Sequence, residues 1–429
     1  MAKILIATTC RWISAARLAI AFRQAGCTVE AMGPGASPLH GLSAISRIYP
    51  FQGLKPVRSV QGALRQSSPD LVVPIDDLAA ICLHRLAGEG PAEVKALLAA
   101  SLGRVESYSI LESRELFLQA AAEEGVLTPE SATLESDGDV AAWVAAHGLP
   151  AVLKADGTSG GEGVKVVANE AEALRAYRQL RAPLSMAVVA KRTGIDKDLN
   201  HVLPWLLRKQ RRVSAQSFID GRDANIAVAC WQGEVLASIS AKVIQAVRPK
   251  GPAAVIQLIG EEEAGKAMLD AARRVVKRLG LSGLCGMDFM IERATGRPWL
   301  IEINARATQT CHLVSEAGSD LVGELVEKIT GGGMRKQADG IQAERTEAEQ
   351  RSLRQRGDSK GRTIALFPPA WQIDAGSEAL RDAYFDLPAG EPGLIRAGLA
   401  EDRFSVGRRL RFLTGQPHRS DPRLAAGRK

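Results

Sequence analysis

Two apolar runs joined by a short turn lie close to residue 290. The runs cover 287–291 and 299–303, and the seven residues between them end in Ala-Thr-Gly-Arg-Pro. Because turn formers interrupt two β-prone segments, the pattern predicts an antiparallel hairpin. Asp288 lies on the first predicted strand, and Glu302 and Asn304 lie on the second. The pairing is expected to bring these three oxygen-bearing side chains close together.

The polar residues of this hairpin favour a metal site. Side chains alternate along a strand, so Glu302 and Asn304 share one face, and Arg306 follows them if the strand continues. Taken singly, each is typical of an exposed strand residue. As a set in apolar surroundings, they would carry a large desolvation cost without a ligand. Two carboxylates, an amide oxygen and a guanidinium suit Mg²⁺, or Mn²⁺, bound to a polyphosphate.

The composition is that of an ordinary globular protein. The chain has 429 residues, of which 46% are hydrophobic and 24% are charged, and this size predicts two to four domains. Six cysteines show no Cys-x-x-Cys spacing, so free thiols in a reducing compartment are expected. The N-terminus becomes polar by Thr8 and indicates a first strand. A cytoplasmic protein without membrane spans is therefore expected.

A net charge of +7 raises the question of an acidic partner. Most of the excess lies in residues 335–429, where basic residues are interleaved with acids and carry no aromatic stacking pattern. No nucleic-acid partner and no membrane partner are expected.

The first hundred residues alternate between strand and helix patterns. A strand at 3–7, an Ala/Leu-rich helix ending at Gly26 and a strand at 28–32 make a βαβ start. The apolar run at 71–75 predicts another buried strand, and Asp76 follows it. This alternation predicts a parallel sheet with ligand loops at its carboxyl ends. No Gly-x-Gly-x-x-Gly follows the first strand, so a dinucleotide cofactor is not expected.

A glycine-rich loop separates two further predicted strands, 151–154 and 164–168. Four of its residues are glycine, and Lys154 stands at its base. Glycine lets a backbone approach phosphates closely, which favours a flexible phosphate-binding flap. A long hairpin loop without a ligand is the alternative. The glycines are Gly157, Gly160, Gly161 and Gly163.

The rest of the chain shows predicted helices and strands but no motif as specific as the hairpin or the glycine-rich loop. Helices are predicted at 112–124, 139–146 and 262–279, strands at 213–219, 224–231 and 235–241, and a basic outer helix at 192–212. Residues 335–362 have the composition of a polar linker or exposed helix. Strand-like sequence returns at 363–367 and is followed by a proline-containing appendage. The appendage could cover the active site, form a dimer interface or bind a carrier protein.

In their order and spacing these motifs resemble the ATP-grasp superfamily, which includes D-alanine:D-alanine ligase, biotin carboxylase and the carbamoyl-phosphate synthase large chain. The resemblance covers about residues 105 to 330. It implies a fold class of α/β and α+β, with an ATP-grasp fold behind an N-terminal Rossmann-like (pre-ATP-grasp) domain. The implied domains are 1–104, 105–334 with a small lobe at about 146–218, the linker 335–362 and the C-terminal appendage 363–429.

The resemblance also implies roles for individual residues. Lys154 is similar to the lysine that binds the α- and β-phosphates, with the flap closing over them. Gln216 and Ile219 match the hinge that recognises adenine, and Asp223 matches the acid that binds the ribose. The implied nucleotide-binding set is Arg114, Lys154, Gly157, Ser159, Gly160, Gly161, Gly163, Gln216, Ile219 and Asp223. Asp288, Glu302 and Asn304 match the Mg²⁺ ligands, and Arg306 and Lys154 are the implied catalytic residues.

The chain departs from the family pattern at several positions. Arg114 stands where a lysine is usual, and Ser217 replaces the commoner hinge glutamate. Gly286 takes the place of a phosphate-binding arginine, for which Lys242, Arg248 or Lys250 could substitute. The candidate substrate residues are Arg248, Lys242 and Asp76. No biotinyl-lysine motif is present and the chain has one ATP-grasp unit, so the resemblance does not imply a biotin carboxylase or a complete carbamoyl-phosphate synthase.

The activity implied is an ATP-dependent carboxylate-amine, or carboxylate-thiol, ligation with small-molecule substrates. A carboxylate would take the γ-phosphoryl group to form an acyl phosphate, and an amine would then displace phosphate to give an amide. Two alternatives stay open. One is a kinase that phosphorylates a carboxyl or hydroxyl group, and the other is a catalytically silent ATP-binding regulatory protein. A homodimer is also left open.

Overall fold

The computed structural model describes most of the chain. The described residues are 1–35, 37–156, 161, 163–183, 186, 189–190, 205–206, 208, 210–260, 262–315, 319–331, 362–388 and 390–401. Most of the predicted basic helix at 192–212 and nearly all of the predicted linker at 335–362 lie outside these residues, as do Gly157, Ser159 and Gly160. Within the part described, no helix has the length and apolar character needed to cross a membrane.

The N-terminal residues form the predicted parallel sheet. Its strands are β1 Lys3–Ala7, β2 Thr28–Gly33, β3 Arg47–Pro50 and β4 Leu71–Pro74, in the order β3-β2-β1-β4. Helices α1 Ile13–Gln24, α2 Pro56–Ser67, α3 Asp77–Glu89 and α4 Ala92–Leu102 accompany the sheet. The neighbouring strands β1 and β4 are buried and almost continuously apolar, as is typical of a covered parallel sheet. The turns after β1 and β4 therefore emerge at the same edge of the sheet.

A small four-stranded lobe follows two short helices. These helices are α5 Tyr108–Leu111 and α6 Arg114–Glu123, and Ser113 caps α6 by accepting a hydrogen bond from the Leu116 amide. α6 corresponds to the helix predicted at 112–124, and the cap sets its start at Arg114. The lobe contains β5 Ser131–Leu134, α7 Asp137–His147, β6 Ala151–Ala155, β7 Val164–Val167, α8 Glu170–Arg181 and β8 Val213–Ser217. Its antiparallel strand order is β5-β8-β6-β7, and it has its own apolar core.

A seven-stranded sheet forms the opposite wall of the molecule. Its strands are β9 Gly221–Trp231, β10 Glu234–Ala246, β11 Ala253–Ile259, β12 Gly283–Glu292, β13 Pro298–Asn304, β14 Thr363–Leu366 and β15 Tyr384–Asp386. The order is β13-β12-β9-β10-β11-β14-β15. Helices α9 Glu263–Leu279 and α10 Leu321–Thr330 pack against it. β12 and β13 form the predicted hairpin, whereas β11 was not predicted.

The segment from 362 to 401 differs from the irregular appendage that its prolines suggest. β14 pairs antiparallel with β11 and extends the large sheet, and β15 lies parallel to β14. The helix α11 Pro392–Glu401 contacts α1. Trp371 is buried in the same apolar cluster as β1 and α1, with its ring edge-on to Phe367 and Phe385. The segment therefore completes a core that begins at the N-terminus.

A buried ion cluster also fixes this segment. Asp386 at the end of β15 pairs with Arg17 of α1, and His312 Nε2 lies 2.9 Å from its Oδ2. Burial alone would raise the pKa of Asp386, but His312 and Arg17 outweigh burial and lower that pKa to about 2. His312 is therefore an interior histidine with its hydrogen-bonding need satisfied.

We expect Trp371→Ala to destabilise the protein by about 3 to 5 kcal/mol, because removing a buried indole leaves a cavity among large rings. The free energy of unfolding, measured by chemical denaturation, checks this value. Leu54→Ala is the matched control, since Leu54 is 59% exposed and should change stability by no more than about 0.5 kcal/mol. Equal stability of the two variants would contradict a contribution of residues 362–388 to the common core.

Candidate functional site

A cavity of about 320 Å³ separates the small lobe from the large sheet. β6 and β8 line it on one side, and β9, β12 and β13 line it on the other. Nearly all of the described residues predicted for nucleotide, metal or catalytic roles line it. They are Arg114, Lys154, Gly161, Gln216, Ile219, Asp223, Asp288, Glu302, Asn304 and Arg306, whereas Gly163 is described but lies outside the lining.

The hairpin brings its three oxygen-bearing side chains together. Asp288 and Glu302 are direct partners in the pairing of β12 with β13, so both side chains point to the cavity face. The Asn304 amide donates a hydrogen bond of 3.0 Å to Asp288 Oδ2. A bulge next to this pair accommodates Ile301 as an extra residue. The alternation of side chains along the strand, which places Glu302 and Asn304 on one face, is therefore preserved.

The two facing carboxylates influence each other's proton affinity. Burial, and then the nearby charge of Glu302, raise the pKa of Asp288 to about 6. Burial also acts to raise the pKa of Glu302, but the charges of Arg114 and Lys154 outweigh it, and the net pKa is lowered. A divalent cation between the carboxylates would remove this repulsion.

The donor set fits a magnesium ion that shares its ligands with a phosphate. Among the residues that the structure describes, no group of three or more His, Cys, Asp or Glu side chains is placed to hold a metal. Asp288, Glu302 and Asn304 offer two carboxylates and one amide oxygen. Mg²⁺ keeps several waters or phosphate oxygens in its octahedron, so this partial set matches it better than a metal held by protein alone.

Lys154 is a buried cation at the end of β6. Lys154 is only 5% exposed, and its Nζ makes no hydrogen bond within the described part of the chain. Desolvation lowers the pKa of Lys154 to about 8, against the opposing effect of Glu302. A buried ammonium without a partner is costly. An anion such as a phosphate would supply the missing partner.

Arg114 connects the small lobe to the metal face. Its Nη1 lies 2.9 Å from Asp156 Oδ1, and its Nη2 lies 2.9 Å from Glu302 Oε1. A planar guanidinium can hold two carboxylates in fixed directions at once, which a lysine ammonium does less well. Because an arginine stands here in place of the usual lysine, one side chain joins Asp156 to Glu302.

The other end of the cavity has the polarity expected of a base-binding slot. Gln216 is 2% exposed and its Nε2 makes no hydrogen bond in the described part of the chain. Val152, which pairs with Gln216 in the sheet, and Phe289 also line the cavity, as do Ile219 and Asp223. An apolar slot with few polar groups is typical of sites for planar ligands.

Arg306 lies where the hairpin meets the N-terminal domain. Its Nη2 donates to Asn304 Oδ1 at 2.9 Å, and its Nε donates to Asp77 Oδ1 at 2.6 Å. The guanidinium carbon also lies 5.3 Å from the ring centre of Trp12. The arginine is buried and bridges the metal face and the first turn of α3.

The structure does not place the three candidate substrate residues in this cavity. Asp76 is 1% exposed and caps α3, accepting hydrogen bonds from the Thr8 hydroxyl, the Thr9 amide and the Ala79 amide. Its lone pairs are therefore used by the fold. Lys242 lines a separate pocket with Arg222 and Glu262.

Arg248 is exposed and also lies outside the lining of the main cavity, and its role in substrate binding stays a prediction. Lys250 lines the cavity instead. At Gly286 a Cβ atom would meet the Thr308 Cγ2 methyl at 2.5 Å, which leaves no room for an arginine side chain. Gly161 of the glycine flap lies against the loop that carries Lys250. A Cβ atom on Gly161 would meet the Lys250 carbonyl oxygen at 1.6 Å.

Sequence reasoning assigned no role to Asn225, a polar residue of the lining. Asn225 lies two residues beyond Asp223 and pairs with Asp288 in the sheet register, so strand periodicity was an available signal. Asp77 lines the cavity although its neighbour Asp76 does not. No local pattern distinguishes the cap residue from the residue after it.

Comparisons with known proteins agree with this geometry. The chain belongs to the family described as the carbamoyl-phosphate synthase L chain ATP-binding domain, whose model matches residues 113–335. The arginine-specific carbamoyl phosphate synthase large chain of Geobacillus stearothermophilus is 24% identical over 226 residues. That match covers 51% of this chain and only 18% of the longer relative.

Solved structures show the fold over a larger share of the chain. N5-carboxyaminoimidazole synthetase from Staphylococcus aureus aligns with a TM-score of 0.55 at 10% identity, over 77% of each chain. The biotin carboxylase domain of Hydrogenobacter thermophilus 2-oxoglutarate carboxylase, solved with MgADP, gives 0.56 at 16% identity, over 77% of this chain and 69% of that one. L-amino acid ligase from Bacillus licheniformis gives 0.52 at 18%, over 77% and 75%.

The predicted ATP-grasp superfamily and mixed α/β fold class are thereby confirmed. ATP-grasp ligases use ATP and Mg²⁺, the cofactors that the sequence implies. The predicted domain boundaries and the roles of the individual residues stay predictions.

We expect ADP binding to take up close to one proton at pH 9 and almost none at pH 6.5. A Lys154 with a pKa of about 8 is mostly neutral at pH 9, and a bound phosphate favours its charged form. Calorimetry of ADP binding in buffers of different ionisation enthalpy measures this uptake. Lys154→Arg, which stays charged, should abolish it, and equal uptake by both proteins would contradict the assignment.

Proposed function

We propose that this protein is an ATP-dependent carboxylate-amine ligase acting on small molecules, with a thiol as the other acceptor class. The observation that carries the proposal is the charge arrangement in one cavity. Lys154, which is buried and makes no hydrogen bond within the described residues, lines the same cavity as the opposed carboxylates Asp288 and Glu302, and Arg306 bonds the neighbouring Asn304. This arrangement suits a polyphosphate with its divalent cation, and little else of comparable size.

In this proposal the nucleotide lies along the cavity from the hinge to the hairpin. Gln216 and Ile219 would contact the base, and Asp223 would contact the ribose. Lys154 and the glycine flap would hold the phosphates, with Asp288, Glu302 and Asn304 as ligands of Mg²⁺. Arg114 would act indirectly, because it already fixes the direction of the Glu302 carboxylate through a 2.9 Å ion pair.

ATP with Mg²⁺ would supply an activated phosphoryl group for transfer to a carboxylate. The chain's part is to place positive charge where negative charge develops, which is the main requirement of phosphoryl transfer. Arg306 is held by Asn304 and Asp77, so its guanidinium is already oriented towards the metal face. The flap would exclude water, because an acyl phosphate hydrolyses readily.

The comparisons support a ligase without naming its substrates. One similar structure is an L-amino acid ligase, and another is an N5-carboxyaminoimidazole synthetase. A carboxyl group activated by phosphate and captured by nitrogen is chemistry that the cavity of this chain could also perform.

Screening for ADP release with pairs of amino acids and simple acids tests the proposal, with mass detection of the product. A carboxylate-dependent release that yields an amide supports it. Hydroxylamine, an uncharged nucleophile at neutral pH, traps an acyl phosphate as a hydroxamate and so separates a ligase from a hydroxyl kinase. Tight nucleotide binding without turnover over the whole panel would count against a ligase.

We expect Glu302→Gln combined with Asn304→Ala to lower Mg²⁺-dependent ADP release by at least about 100-fold, because both a metal ligand and a support of Arg306 are lost. The rate at saturating Mg²⁺ is the measurement. Glu234→Gln, an exposed strand carboxylate on β10, is the control and should keep the wild-type rate. An unchanged rate in the double variant would show that the metal site lies elsewhere.

A further inference from the structure

Asp77 is an acid of the cavity that the nucleotide and metal do not account for. Four acids line the cavity within the described residues: Asp77, Asp223, Asp288 and Glu302. In the proposed function Asp223 serves the ribose, and the hairpin pair serves the metal. Asp77 comes instead from the first turn of α3 in the N-terminal domain, beside the buried cap Asp76. Its carboxylate has no structural task comparable to that of Asp76.

The Asp77 carboxylate has room for a second partner. Its side chain is 53% exposed, and its Oδ1 accepts one hydrogen bond, from Arg306 Nε. Within the described part of the chain, Oδ2 accepts none. A carboxylate has about four acceptor sites, so one ion pair leaves most of them open to the cavity. A ligand cation could bind there without displacing Arg306.

The position of Asp77 suits the second step of a ligation, in which an amine attacks the activated carboxyl group. Arg306 joins Asp77 on one side to Asn304 of the metal face on the other. A group held by Arg306 would therefore have the metal face on one side and Asp77 on the other. Trp12 offers an aromatic face beside the same guanidinium, 5.3 Å from its carbon, and such faces also favour cations.

We infer that Asp77 is a specificity-determining residue that binds the ammonium group of a cationic primary amine, the second substrate of the ligation. The inference rests on the proposed function and narrows the amine to a charged one. An ion pair with Asp77 offsets the desolvation of an ammonium entering the cavity, whereas an uncharged amide gains nothing comparable. Asp77 would thus select the amine and place it beside the activated carboxyl group. There the ammonium would give a proton to the Asp77 carboxylate, and the freed nitrogen would attack the acyl carbon as phosphate leaves.

Saturation-transfer NMR with two probes tests this inference on the full-length protein in the presence of MgADP. L-alanine amide carries an ammonium and no carboxylate, and N-acetyl-L-alanine amide has the same skeleton without the charge. Wild type should transfer saturation to the first probe and not to the second. Asp77→Asn should reduce that transfer at least fivefold while keeping an oxygen that can accept from Arg306.

Glu93→Gln is the matched control, since Glu93 is an exposed acid in the first turn of α4, and it should behave as wild type. Thermal unfolding of each variant shows that it is folded. Equal transfer in wild type and Asp77→Asn, or no transfer from L-alanine amide in wild type, would overturn the inference.

A second readout distinguishes recognition of the amine from a mere support of Arg306. With a carboxylate identified by ADP release, hydroxylamine needs no ammonium site, so Asp77→Asn should lower hydroxamate formation far less than it lowers turnover of the cationic amine. The kcat/KM for the cationic amine should fall at least tenfold. A parallel loss of both would assign Asp77 to the positioning of Arg306 and overturn the inference. Absence of ADP release in wild type would instead reject the proposed function.

Discussion

Glu302 is the charge on which the arrangement of the cavity depends. It faces Asp288 across the hairpin, pairs with Arg114 from α6 and acts on the pKa of Lys154 from β6. Three elements that are distant in the sequence therefore share one carboxylate of the cavity. Because isolated charges are costly in such a site, each cation stabilises the ionised form of Glu302, and Glu302 in turn stabilises the cations.

The charges around Glu302 are not fully balanced by one another. Lys154 has no hydrogen-bond partner in the described chain, and the pKa of Asp288 is raised by burial and by Glu302. Perturbed groups of opposite sign within one cleft are typical of functional sites. A phosphate near Lys154 and a divalent cation near the carboxylates would correct both at once, which is the physical basis of the proposed nucleotide site.

The N-terminal sheet and the C-terminal segment contribute to the site from outside the family's matched region. Arg306 reaches Asp77 of α3, and Asp386 joins α1 to the loop that carries His312. The turn after β4 lies at the carboxyl edge of the parallel sheet, where ligand sites of such sheets form. The lining of the cavity therefore comes from the matched region and, through Asp77, from the N-terminal domain.

The sequence by itself determined the hairpin, the alternation that places Glu302 and Asn304 on one face, and the lysine-flap-hinge order that resembles ATP-grasp enzymes. These are local properties, because strand periodicity and glycine content act over a few residues. Only the tertiary structure decided that Asp77 enters the cavity while Asp76 caps a helix, and that Lys250 replaces Arg248 and Lys242 in the lining. It also decided that Arg114 bridges two carboxylates and that the proline-containing segment completes the core. Such outcomes depend on which distant side chains meet when the chain is packed, and no short stretch of sequence specifies those contacts.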